Sequence, residues 1–181
     1  MKILISGGCK NGKSYFAQKV AKYQNSENLF YIATMNPSDH EDFERVKKHR
    51  KDRAGWGFKT IERHVDIWDC IQNIDNDASF LLDSLTALLA NEMFRENEIR
   101  LDAGDKICDE LKAICSKAKN IVFVSDYIYS DAYIYDEVTE NYRKSLAKID
   151  RNAALLCDVV IEVVYGNLIF HKGKDEMCQW F

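Results

Sequence analysis

The stretch Gly7-Gly8-Cys9-Lys10-Asn11-Gly12-Lys13-Ser14 fits the pattern G-x-x-x-x-G-K-[ST]. The apolar run Lys2–Ser6 precedes it, and an amphipathic segment, Ser14–Tyr23, follows. Strand, glycine loop and helix thus come in the order that a phosphate-binding loop needs. In such a loop the backbone N–H groups converge on a triphosphate, and the helix N-terminus adds partial positive charge. Lys13 is expected to reach the β- and γ-phosphates, and the Ser14 hydroxyl to ligate Mg²⁺. Gly7 and Gly12 supply backbone angles and close approach that a side chain would block.

The remaining pattern is consistent with that start. Apolar runs of strand length recur at Leu29–Thr34, Ser79–Asp83, Asn120–Ser125 and Val159–Val164. Helical patterns lie between them at Asp39–Arg53, Val65–Ile74, Leu85–Asn97, Ala103–Lys117 and Tyr142–Cys157, with Gly104 a candidate break. This alternation predicts an α/β fold of three layers, like that of P-loop NTPases, with a mainly parallel sheet and helices on both faces. Val159–Val164 and Leu168–His171 flank Tyr165-Gly166-Asn167, which reads as an antiparallel hairpin at one edge. Asp126–Asn141 lacks periodicity, is rich in tyrosines and acids, and reads as a functional or mobile loop. Residues 1–181 are read as a single domain.

Composition removes several classes of function. A formal net charge of −4 argues against a nucleic-acid surface. No apolar run approaches the length of a membrane span, and the first residues do not form a signal peptide. None of the six cysteines forms a C-x-x-C pair or sits at a zinc spacing. They read as small core residues of a protein in a reducing cytoplasm, with Cys9 the exception inside the loop. Trp180 and Phe181 end the sequence on apolar groups, read as a docked tail or a subunit contact.

Two further constellations bear chemistry. Phe80-Leu81-Leu82-Asp83-Ser84 is an apolar strand ending in a carboxylate, the Walker B arrangement, which assigns Asp83 to Mg²⁺ together with Ser14. The guanine-reading N-K-x-D sequence of GTPases is absent. On the predicted helix Asp39–Arg53, Glu41, Arg45 and His49 recur every four residues and share one face. Arg45 and Arg53 then form a cationic strip beside an imidazole able to act as acid, base or nucleophile. Spacing alone favours the plainer reading, a solvated charged helix with an incidental histidine.

The pieces together resemble the bifunctional adenosylcobinamide kinase / adenosylcobinamide-phosphate guanylyltransferase family of cobalamin synthesis. The loop at 7–14 is similar to its G-G-x-x-S-G-K-S, and Tyr31-Ile32-Ala33-Thr34 to its Y-I-A-T. Asp39, Glu41, Arg45, Val46, His49 and Arg53 resemble its D-x-E-x-x-x-R-I-x-x-H-x-x-x-R. Trp56, Thr60 and Glu62 echo its W-x-T-x-E with two extra residues, and Leu82-Asp83-Ser84-Leu85-Thr86 with Asn91 its L-x-D-C-L-T…N.

The resemblance implies two activities. A kinase step uses ATP or GTP to phosphorylate the aminopropanol hydroxyl of adenosylcobinamide. A second step carries GMP from GTP on the histidine matched by His49 and passes it to the corrinoid phosphate. The nucleotide site then comprises Gly7, Gly8, Cys9, Lys10, Asn11, Gly12, Lys13, Ser14, Thr34, Arg45, Arg53, Glu62 and Asp83, with Lys13 and His49 catalytic and Mg²⁺ as cofactor. The family also implies a homo-oligomer, commonly a trimer. Departures cluster late. Ser125–Ala132 replaces the family's N-E-V-G-x-G-I-V-P without a glycine or proline. In the later R-D-x-x-G-x-x-N-Q, Arg143 matches, but Ala147, Asp150 and Arg151 stand for the glycine, asparagine and glutamine. A kinase lacking guanylyl transfer, or a nucleotide sensor, are the competing readings.

Overall fold

The computed structural model describes residues 1–180 apart from Ser26. The side chains of Arg45, Asp52, Cys178, Gln179 and Trp180 also fall outside the described part, and with them the expectations placed on Arg45, Cys178, Trp180 and Phe181. The strands are β1 (Lys2–Gly7), β2 (Leu29–Ala33), β3 (Lys59–Glu62), β4 (Ser79–Asp83), β5 (Asn120–Asp126), β6 (Val159–Val164) and β7 (Asn167–Lys172). The helices are α1 (Lys13–Gln24), α2 (His40–Asp52), α3 (Trp68–Ile71), α4 (Leu85–Met93), α5 (Ala103–Lys117) and α6 (Glu137–Leu156).

The sheet runs β3-β2-β4-β5-β1-β6-β7, parallel throughout except for β7. The loop strand β1 lies between β5 and β6, and β4 is one strand removed from it. Alternation along each central strand divides the core in two. Ile3, Ile5, Tyr31, Leu81, Val122 and Val124 pack under α1 on one face. Leu4, Ile32, Phe80, Leu82, Ile121 and Phe123 pack under α4, α5 and α6 on the other. Burial on both faces is why these strands read as continuous apolar runs rather than alternating ones.

The predicted α/β architecture and its edge hairpin are present. Tyr165 and Gly166 make the two-residue turn, both at positive φ (49° and 79°), as a primed hairpin turn requires. Three details depart from expectation. Strand β3 gives no apolar run, because Lys59, Thr60 and Glu62 are exposed at the sheet edge. The break between α4 and α5 falls at residues 94–102, not at Gly104. Gly104 lies in the first turn of α5, where an added Cβ would meet Ser145 Cβ of α6 at 2.9 Å, so it allows two helices to touch. Asp126 belongs to β5 and Glu137–Asn141 to α6, which shortens the predicted loop to residues 127–136.

That connection is held from below by Arg143. Its guanidinium donates to the carbonyls of Tyr129 (3.3 Å), Asp131 (3.2 Å) and Tyr133 (3.4 Å) and pairs with Asp131 and Glu140. Of the cysteines with described side chains, Cys108, Cys115 and Cys157 are buried, Cys70 is half-buried and Cys9 is exposed, all as free thiols.

A buried charge group ties α4 to α5. Glu92 is 1% exposed, accepts the Asp66 N–H at 2.7 Å and pairs with Lys106. Lys106 also binds Asp66 at 2.7 Å. Lys106→Met therefore leaves a buried carboxylate short of its main counter-charge. The expected loss of stability is about 3 kcal/mol, read as a lower denaturant midpoint with an unchanged m-value.

Candidate active site

The loop Gly8–Gly12 leaves β1 and enters α1 through Gly12, whose φ of 89° only glycine adopts without strain. At Gly7 a Cβ would stand 2.7 Å from the Val163 carbonyl and 2.3 Å from Asn11 Nδ2, so the strand end must be glycine. Asn11 stitches the loop to β6 by donating to Val163 O at 2.6 Å, and its Oδ1 accepts the Lys13 N–H at 3.2 Å. Cys9 and Lys10 stand exposed at the tip, while Gly8 and Ser14 are half-buried. The Ser14 hydroxyl makes no hydrogen bond to a described residue.

Lys13 is only 5% exposed. Its ammonium donates to Gly8 O at 3.0 Å and to the Asp126 carboxylate at the end of β5. Asp126 is the residue that sequence reasoning passed over. Its signal was an acid ending the apolar run Ile121–Val124, the same pattern that singled out Asp83. Sheet order sets them apart: β5 adjoins β1 and places Asp126 opposite Gly7, whereas β4 lies one strand farther away.

One oxygen of Asp83 is held by a neighbouring strand: Oδ2 accepts the Tyr31 hydroxyl at 2.8 Å. The Arg53 guanidinium lies over the Tyr31 ring at 4.0 Å, and its Nε approaches Thr60 Oγ1 at 3.4 Å. Burial, with the Asp83 carboxylate beside it, keeps the Tyr31 hydroxyl protonated well above the ordinary phenol range. Arg53, Tyr31 and Asp83 thus form a chain from the end of α2 to the end of β4. Thr34 is buried, and its Oγ1 donates to Ser84 O at 2.8 Å and accepts the Ser84 N–H at 2.7 Å. In this arrangement its hydroxyl locks β2 to β4.

Asp39 caps α2 by accepting the Asp42 N–H at 2.9 Å. Glu62, at the end of β3, pairs with Arg50 of α2. His49 sits half-buried one turn before Arg53, and its imidazole makes no hydrogen bond to a described residue. Beyond it a recess of about 440 Å³ is lined by Arg50, Arg53, Gly55, Gly57, Phe58 and Thr60. Trp56 packs edge-on against Tyr15 of α1 at 5.5 Å, which brings the segment after α2 against the helix that starts at the phosphate loop. The structure therefore assembles the residues in two groups. Lys13, Ser14 and Asp126 stand at the loop; Arg50 and Arg53 line the recess, with His49 one turn before Arg53 on α2 and Glu62 paired with Arg50. Tyr31 links Arg53 to Asp83 at the end of β4.

Behind Asp126, α6 buries Asp150 beside the Tyr129 hydroxyl, which donates to it at 2.8 Å. Burial pushes the Asp150 carboxyl from 3.8 up to about 6, with Ser125 and Tyr129 pulling it down and Asp126 pushing it up. The folded form holds a proton that the unfolded chain releases. Its contribution to stability is thus complete below pH 3.8 and is lost as pH rises through about 6. Asp150→Asn keeps an acceptor for Tyr129 without the charge. It is expected to be more stable than the parent by about 2–3 kcal/mol at pH 7.5 and equal to it near pH 4, read from denaturant midpoints at both.

A phosphate loop between a central parallel strand and α1 defines a P-loop nucleotide-binding α/β protein. A family model described as cobinamide kinase / cobinamide phosphate guanyltransferase matches residues 3–169, and the chain belongs to that family of phosphotransferases and nucleotidyltransferases. It is 32% identical to the bifunctional adenosylcobalamin biosynthesis protein CobU of Escherichia coli, covering 92% of this chain and 97% of the relative. It is 26% identical to the Salmonella typhimurium protein of the same name, with the same coverage. A solved structure from Pyrococcus horikoshii OT3 shares the fold at a TM-score of 0.51 and 12% identity, covering 97% of this chain and 88% of that one. Among the described residues no helix is long and apolar enough to cross a membrane.

Proposed function

We propose that the two groups of residues divide the two reactions of the family between them. In the kinase step the phosphate loop binds ATP or GTP, and Lys13 neutralises charge on the transferred phosphoryl group as the aminopropanol hydroxyl of adenosylcobinamide attacks it. In the guanylyl step His49 attacks the α-phosphorus of GTP, pyrophosphate leaves, and the phosphoramidate passes GMP to the corrinoid phosphate. A half-buried imidazole on α2, one turn before Arg53 and near a recess lined by Arg50 and Arg53, is the observation that carries this reading. A covalent intermediate on it splits one hard transfer into two easier ones.

The oxygen donors suit Mg²⁺. Ser14 Oγ and Asp83 Oδ1 have no partner among the described residues, and a hard dication prefers such ligands. When bound, the ion would offset charge on the phosphates. The resemblance further implies a homo-oligomer, commonly a trimer, working in a reducing cytoplasm. A monomer by analytical ultracentrifugation at working concentration would remove the first of these.

The test is the mass of the corrinoid product. With ATP alone, adenosylcobinamide gains one phosphoryl group; with GTP added, it gains GMP in place of nothing further from ATP. Phosphorylation without GMP gain leaves a kinase only and directs attention to residues 127–136. No gain with either triphosphate sinks the reading.

A further inference from the structure

Three features of Asp126 stand together. Its backbone is fixed from both helical neighbours: the Asp126 N–H donates to Thr86 Oγ1 of α4 at 2.9 Å, and the Thr86 carbonyl accepts the Tyr142 hydroxyl of α6 at 2.9 Å. Its carboxylate faces the phosphate loop and holds the Lys13 ammonium. It retains 26% of its side-chain surface, so it is open to a ligand in a way that Lys13, at 6%, is not. A lysine ammonium cannot serve both this carboxylate and a triphosphate at full strength. The triphosphate carries several negative charges and is also bound by the loop amides, so it takes the ammonium. Binding then leaves an ionised, rigidly held carboxylate without its partner, in contact with the position where Lys13 meets the terminal phosphates.

We propose that Asp126 is a catalytic residue of the kinase step, the base that receives the proton of the acceptor alcohol. The alcohol O–H proton passes to Asp126 Oδ1 as the alcohol oxygen bonds to the γ-phosphorus. The bond from that phosphorus to the β,γ-bridging oxygen breaks, and its electron pair leaves with the nucleoside diphosphate. The proton is then lost to solvent and Lys13 returns to Asp126. The assignment rests on the kinase reading above. It gives Asp126 no part in the guanylyl step up to the histidine adduct, because no alcohol is deprotonated there. It also separates the two strand-end acids: Asp126 would serve the acceptor, while Asp83, held by Tyr31, would help to hold the metal.

The experiment compares wild type, Asp126→Asn and Asp126→Glu in three assays: phosphorylation of adenosylcobinamide by ATP, affinity for ATP, and formation of the GMP adduct from GTP. Asp126→Asn is expected to lower kcat for phosphorylation about 10²–10³-fold. Its ATP affinity should hold or improve, since Lys13 is released, and its GMP adduct should form within about tenfold of the wild-type rate. Asp126→Glu, which keeps a carboxylate, is expected to recover most of the kinase rate. Retention of the wild-type kcat by Asp126→Asn overturns the proposal. So does an equal loss of phosphorylation and adduct, the result if Asp126 only supports the loop. A wild-type protein that phosphorylates no corrinoid alcohol overturns the kinase reading itself, which is a different outcome from a wild-type kinase indifferent to Asp126.

Discussion

His49→Ala is expected to abolish the covalent GMP adduct that GTP forms on the protein, with phosphorylation of adenosylcobinamide retained. The expected loss is at least about a thousandfold in guanylyl transfer, equivalent to about 4 kcal/mol of barrier. The size follows from chemistry, since loss of the imidazole removes the nitrogen that would bond to the α-phosphorus. Arg50 and Arg53 are permanently charged. The selectivity follows from position. His49 lies on α2, whereas Lys13 begins α1 and Asp126 ends β5. The imidazole bonds to no described residue, so its removal leaves none of them unsatisfied, and the variant should fold as the parent does. Intact-protein mass after incubation with GTP and Mg²⁺ reads the adduct, which should be acid-labile and base-stable. Equal loss of both activities would show that the two reactions share one machinery.

Lys13→Ala is the second large effect, and it falls on the kinase step. A single donor aimed at developing charge in a water-poor site contributes about 3–4 kcal/mol, so kcat/KM for phosphorylation should drop by about 10²–10³. Lysine at 5% exposure sits in a narrow cradle between Gly8 O and Asp126. Arginine presents a flat fork rather than a compact charge, so Lys13→Arg should restore little. Asp126 is left unpaired by Lys13→Ala but remains partly hydrated, so stability should change far less than activity. Steady-state kinetics alongside a thermal melt separate the two. A variant with a normal kcat/KM would remove Lys13 from the reaction.

The parts of this architecture that were legible in the sequence are those where a local pattern and the tertiary environment agree. Strands β1, β2, β4, β5 and β6 are buried on both faces and announce themselves as apolar runs. The phosphate loop is visible because Gly7 and Gly12 answer to sterics that no other residue satisfies. Strand β3 was hidden because an edge strand with three exposed residues needs no apolar run. The extent of α6 was hidden because its first turn is set by Asp136, which caps Val138 and Thr139, ahead of any periodicity. The site was legible as a set of residues but not as a set of contacts. Thr34, Arg53 and Glu62 looked like ligands to a nucleotide, and each is committed to a protein partner in this structure. Asp126 went unnoticed because strand order, which makes it the neighbour of Lys13, is not written in any short stretch of sequence.

The helix that carries His49 contributes no residue to either hydrophobic core. Among the described residues, the Arg50–Glu62 pair and the Arg53–Tyr31 stack attach its C-terminal end to the sheet edge. A thirteen-residue helix is marginal by itself in water, so these few contacts set the free energy of its docking. Amide protons along α2 should therefore exchange well ahead of those in α5, whose inner face is buried in the core. Added salt should widen the gap by weakening the charged tether. If His49 is the nucleophile proposed above, it rides on a part that can be re-aimed without disturbing the apolar interior, and the ionic strength of the medium becomes a control on guanylyl transfer in particular.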